Sequence, residues 1–167
     1  GSLLGIEMKD LRSAPVGYID IWEMYPLDLE EFFCAVGVSD TVMDHIKESW
    51  NGMKPVDEVV HAKLMSIVRL YLIVGGMPAV VEKYLETNNL QSVMEVQKAI
   101  LRLYEVDIAK YDPNRKLYIR EIFNLIPPEL NAKNKRFILK NLNEKIKFSR
   151  YENSFIWLKD AGVALPT

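Results

Sequence analysis

Ten basic residues fall between Arg115 and Arg150: Arg115, Lys116, Arg120, Lys133, Lys135, Arg136, Lys140, Lys145, Lys147 and Arg150. Residues 114–150 carry only 3 acids, a balance of +7, whereas residues 1–113 carry 10 Lys and Arg against 18 Asp and Glu, a balance of −8. The net charge of −2 therefore hides an acidic portion followed by a basic one. Clustered lysines and arginines neutralise phosphates, so this run is the first place to look for nucleic-acid contact. Lys133, Lys135, Arg136, Lys140 and Lys147 are the candidates, with duplex DNA as the partner. A solvated basic face, or a docking face for the acidic portion, accounts for the same charges. Phe137, Phe148 and Tyr151 are interleaved with the lysines, and their spacing suits a core.

The remaining reactive side chains give less. His45 and His61 are 16 positions apart with no cysteine or paired acids nearby, which suits surface histidines better than metal ligands. Glu30-Glu31 and Asp57-Glu58 lie near expected helix starts, where the helix dipole favours acids without any catalytic role. No Ser/His/Asp set stands out. One cysteine, Cys34, excludes an internal disulfide and a cysteine metal cluster. Between Phe33 and Ala35 it is expected to be a buried structural thiol, and the single cysteine suits a reducing, cytoplasmic setting. No apolar run reaches about 18 residues, so no membrane span or membrane partner is expected.

Elements must position these residues. The 167 residues, 49% hydrophobic and 26% charged, suit one moderate globular domain or two small ones. Residues 15–24 alternate and predict a strand. Pro26-Leu27-Asp28 opens a helix with Phe32, Phe33 and Val36 inward and Gly37 at its end. Ser39-Asp40 caps a helix through about Trp50, with Val42, Met43, Ile46 and Trp50 on one face. Pro55 starts a long helix, with Val59, Val60, Leu64, Ile67, Val68, Tyr71 and Leu72 inward, ending at Gly75-Gly76. Pro78 restarts a helix to Asn88-Asn89, and Leu90 to about Tyr111 follows. Then come a helix from about Arg115 to Leu125, interrupted by Pro127-Pro128, a short helical turn from Glu129 to Asn131, a helix from Tyr151 to Ala161, and a strand from Val163 to Leu165. That order suggests a winged helix-turn-helix.

Several segments, taken as a set, resemble a prokaryotic AAA-type ATPase family with a C-terminal domain of unknown function (the domain of unknown function 4143 type). They are Tyr25-Pro26-Leu27-Asp28-Leu29-Glu30-Glu31-Phe32, Tyr71-Leu72 with Gly75-Gly76-Met77-Pro78, Asp107-Ile108, Ile126-Pro127-Pro128-Glu129-Leu130 with Lys135 to Phe137, and Tyr151 to Gly162. The resemblance implies residues 1–26 as the end of an ATPase core, 27–112 as a helical lid-like bundle, and 113–167 as a winged helix cut in its wing. Both ends of the chain read as cut. A G-x-x-x-x-G-K-[ST] loop and an apolar run ending in paired acids for Mg²⁺ are both lacking. ATP and magnesium are thus implied only for a larger parent, along with self-association through it. Ser2 falls near the expected γ-phosphate position and Arg12 near a subunit edge, where an arginine can stabilise phosphoryl transfer.

The expected fold is mainly α, with a small N-terminal β remnant. The expected function is the nucleotide-sensing lid and winged helix of an ATP-binding protein, inactive alone. A DNA-binding module and a protein–protein interaction piece are the rivals. Gly75, Gly76 and Pro78 form an expected hinge, fixed in angle, strained if Gly76 takes positive φ.

Overall fold

A computed structural model describes residues 22, 24–111, 116–133, 136–142 and 148–164. Among them are seven α-helices, two short 3-10 turns and no strand. The chain is mainly α, and it divides into two compact units, residues 21–100 and a unit holding residues from Leu101 onward.

In the first unit, residues 24–28 are irregular chain. The Asp28 carboxylate accepts from Glu31 N–H at 2.8 Å, and Glu31 returns the bond from Asp28 N–H at 2.9 Å. This reciprocal pair satisfies two orphan donors and starts α1, Leu29–Ala35. The turn after α1 is closed by Gly37 at φ +88. α2, Asp40–Asn51, follows Ser39, whose side chain makes no capping bond. Lys47 of α2 hydrogen-bonds Glu30 of α1, and that bond and charge hold the Lys47 ammonium above its ordinary pKa.

Two expectations fail on this stretch. Trp50 is 83% exposed although it falls within about 20° of buried Met43 around α2, so the buried face that holds Met43 is left open in the last turn, where Ser49 is buried beside it. Cys34 is exposed, because Phe32 and Phe33 take the inward positions of α1 and the next residue is carried outward.

α3, Glu58–Val74, begins three residues after Pro55, where the Asp57 carboxylate accepts from Val59 N–H at 2.9 Å and Val60 N–H at 3.3 Å. α4, Pro78–Thr87, has its proline in the first turn, where no N–H is needed. α5 is Leu90–Tyr111. The core of this unit is Phe32, Val74, Val80, Val81 and Val93, with the Phe32 and Tyr71 rings 5.1 Å apart. Gln97 of α5 donates to the carbonyls of Ile73 and Val74 at 2.9 and 3.1 Å. It thus satisfies acceptors left open at the end of α3.

In the second unit, α6 is Lys116–Asn131 and α7 is Glu152–Asp160, with 3-10 turns η1 at Leu139–Asn141 and η2 at Phe148–Arg150. α6 packs on α7 around Ile108, Ile119, Ile122, Tyr151 and Leu158. Pro127 and Pro128 do not interrupt the helix, which continues through them to Asn131. Proline's fixed φ suits a helix; what it removes is the N–H donated four residues back, here to Phe123 and Asn124. The expected Glu129–Asn131 turn is therefore the end of α6. The final strand fails too. Gly162, at φ +67, turns the chain back, and Val163 and Ala164 N–H donate to the Leu158 carbonyl at 3.0 and 3.2 Å. Those two residues close α7, and Leu165 lies outside the described residues. The expected strand 15–24 also lies outside them apart from Trp22 and Met24, which are exposed and in no strand.

Candidate nucleic-acid interface

Glu129, in the last turn of α6, is only 6% exposed. A buried carboxylate needs hydrogen-bond donors, and two come from the loop beyond the helix. Ile138 N–H donates to one oxygen at 3.0 Å, and the Asn141 side-chain amide donates to the other. These donors are the residue before η1 and its last residue, on either side of Lys140 in the middle of the turn. A second anchor lies beside them. The Phe137 ring meets Phe155 of α7 edge-on at 5.1 Å, and Phe148 lies 6.2 Å from the same ring. The loop from Arg136 to Leu142 is therefore held at a carboxylate and at an aromatic cluster.

Lys133, just past α6, is exposed, as are Arg136 and Lys140 in the loop and Arg120 on α6. Lys135 and Lys147 lie outside the described residues. The aromatics divide: Tyr151 is buried, Phe137 is half-buried and Phe148 is exposed. Where a winged helix would present a recognition helix, residues 136–142 give one 3-10 turn. Sequence reading missed Glu129 as the residue that holds this loop. The available signal was an acid directly after two prolines in the apolar run Ile126-Pro127-Pro128-Glu129-Leu130.

Beneath the loop the core holds two polar atoms without hydrogen-bond partners among the described residues, Tyr151 Oη and Ser154 Oγ. Burial raises the Tyr151 phenol above its ordinary pKa, with Glu121 and then Tyr118 adding to the effect. The Tyr118 ring stands edge-on to Tyr151 at 5.1 Å.

In the first unit, the segment of the expected hinge is the turn between α3 and α4. Gly75 has φ +75, whereas Gly76 is not among the positive-φ residues. The Gly76 carbonyl instead accepts from Leu27 N–H at 2.7 Å, and Tyr71 Oη donates to the Leu27 carbonyl at 2.8 Å. A Cβ at Gly76 would collide with that Leu27 carbonyl. Beside this clamp lies an open groove of about 570 Å³ lined by Leu27, Ala35, Pro78, Val81 and Leu85, with Glu82 and Glu86.

No group of three or more His, Cys, Asp or Glu among the described residues is placed to hold a metal. His45 and His61 are exposed, and Ser2 and Arg12 lie outside the described residues. No helix among the described residues is long and apolar enough to cross a membrane.

No curated protein and no solved structure matches this chain. The resemblance to AAA-type ATPases with a 4143-type domain is overturned by the family that does match. The segments that carried it have local explanations. Gly75-Gly76-Met77-Pro78 is a helix-to-helix turn pressed on Leu27, and Tyr151 to Gly162 is an amphipathic helix with a glycine close. Such signals recur wherever helices end and pack, so their order alone does not define a family. The implied ATP, magnesium and parent-mediated self-association rested on that resemblance alone. Residues 65–166 match the family model described as "Domain of unknown function (DUF8612)", which covers more than half the chain, and the protein belongs to that family.

Proposed function

We propose that the C-terminal portion of this chain binds duplex DNA through the basic loop after α6. The observation that carries this reading is the anchored loop itself: exposed Lys133, Arg136 and Lys140 lie on or beside a segment fixed by buried Glu129. A +7 balance over residues 114–150 supplies the long-range attraction. Fixed cations lose less freedom on meeting a phosphate backbone than cations on a loose tail. One 3-10 turn is too short to fill a major groove, so backbone contacts dominate and sequence preference is weak. The reading keeps 113–167 as a winged-helix-like module in a coarse sense, with the loop in place of a recognition helix. Its place of work is the cytoplasm, in keeping with one cysteine.

Fluorescence anisotropy with a labelled duplex tests this. Binding is expected at low salt, with log K falling linearly against log salt, by about 0.9 per phosphate neutralised. Lys140→Gln should lower that slope by about 1. No binding at low salt, or a slope indifferent to Lys140→Gln and Lys133→Gln, would end this reading.

Protein docking is a second reading, supported by α3. Val59 and Leu72 on this helix are 78% and 77% exposed, while Val74 is buried in the core. A helix apolar on more than one side is usually covered on more than one side. Val59→Ser with Leu72→Ser should leave DNA binding unchanged and abolish any self-association seen by sedimentation velocity.

A further inference from the structure

We infer that Glu129 is the positioning residue of the DNA-contacting loop, an acid that strengthens binding to a polyanion. The inference rests on the duplex-binding reading above. Residues 136–142 have only the single turn η1 as regular structure. Their shape is set from outside, by Phe137 on Phe155 and by Glu129 on Ile138 N–H and the Asn141 amide. The two Glu129 bonds fall two residues before and one residue after Lys140, so the carboxylate grips the backbone on one side of that lysine and a side chain on the other. Lys140 is exposed, and Glu129 is buried beneath the loop.

Charge and position make opposite predictions here. By Coulomb's law, deleting a negative charge near bound phosphates strengthens binding. If the carboxylate instead fixes the loop, deleting it frees residues around Lys140, which must then be ordered again on binding. Burial weakens the first effect little, because a low-dielectric setting screens charges less. The sign of the change therefore separates the two roles.

The experiment uses the full chain, a labelled duplex and anisotropy at low salt. Glu129→Ala is expected to bind about tenfold more weakly, although it carries one negative charge fewer. Glu129→Gln should fall between, since its one carbonyl oxygen can keep one of the two bonds. Lys140→Gln should weaken the wild type but have little further effect in the Glu129→Ala background, a coupling that general loss of stability does not produce. Amide exchange at Ile138 should quicken in both Glu129 variants. Should Glu129→Ala fail to fold, Glu129→Gln carries the same comparison with a smaller loss. Equal or tighter binding by a folded Glu129 variant would overturn the inference. So would equal Lys140→Gln losses in both backgrounds, or weaker binding with Ile138 exchange unchanged. Failure of the wild type to bind duplex DNA would instead remove the reading on which the inference stands.

Discussion

At Gly76 the constraint is space. Its carbonyl holds Leu27 N–H at 2.7 Å, and the same Leu27 backbone occupies the volume a side chain would need. Gly75 has the opposite problem: its φ is +75, yet nothing lies within 4 Å of an added Cβ. Gly76→Ala must push Leu27 away and break its bonds to Gly76 and Tyr71, a loss of about 2–4 kcal/mol. Gly75→Ala meets no atoms but must take φ +75 with ψ −175, a conformation essentially confined to glycine, at about 1–3 kcal/mol. Urea midpoints should rank wild type, then Gly75→Ala, then Gly76→Ala; a reversed order would contradict the clamp. Sequence reading found the turn but placed its strain at Gly76, because two adjacent glycines do not announce which one bends and which one is crowded.

Tyr151 carries a second residue-scale prediction. It is 1% exposed, and its hydroxyl has no partner among the described residues. Tyr151→Phe keeps the ring and removes the unsatisfied group, so stability at neutral pH should be unchanged or higher by up to about 1 kcal/mol. The folded-state phenol pKa is raised, first by burial and then by Glu121 and Tyr118. The unfolded chain therefore releases this proton first. Stability from the neutral phenol is full below about pH 10 and is lost as pH rises toward the folded pKa. The Phe variant should show a shallower alkaline fall in thermal midpoint; parallel curves would rule the buried phenol out as its cause.

At the scale of elements, helix ends distinguish residues that look alike in sequence. Ser39 and Asp57 both stand before helices as good capping types. Asp57 accepts from Val59 and Val60 N–H, whereas the Ser39 side chain makes no capping bond. Asp57→Ala should cost about 1 kcal/mol, within the usual range for a lost cap. Ser39→Ala should cost only a few tenths, because no cap bond is broken. Chemical denaturation of the two variants side by side checks this, and equal losses would refute it. The same level of structure explains why Pro127-Pro128 misled. Proline is a strong stop signal in sequence, but Ile122 before it and Glu129 after it both have tertiary partners, and the helix runs on.

At the scale of the whole molecule, the cores of the two units have no residue in common among the described residues. Gly76→Ala acts on the first and Tyr151→Phe on the second. Their effects on unfolding free energy should add within about 0.5 kcal/mol, as for substitutions with no shared neighbours. A coupling well above that, measured from the double variant, would show that the units do not respond independently. Charge divides along the chain in a similar way, and it is a whole-chain property that needs no coordinates to find.

The periodicity of apolar residues determined much by itself. α4 begins at Pro78, α5 runs from Leu90 to Tyr111, and Phe32, Val93 and Ile108 point inward as their spacing requires. These are local facts, because a helix and its buried stripe are written within one turn or two. Tertiary structure decided what depends on distant neighbours. Cys34 lies outward because Phe32 and Phe33 hold the inner positions of α1, and Trp50 is left exposed on a helix face that buries Met43. Gly76 is crowded by Leu27, 49 positions away in the chain, and Gln97 caps α3 from another helix. Glu129 became the anchor of the basic loop only when α6 continued past its prolines and brought Ile138 and Asn141 to its carboxylate. A sequence carries the charges and the stripes; which donor meets a buried carboxylate is fixed only when the chain has packed.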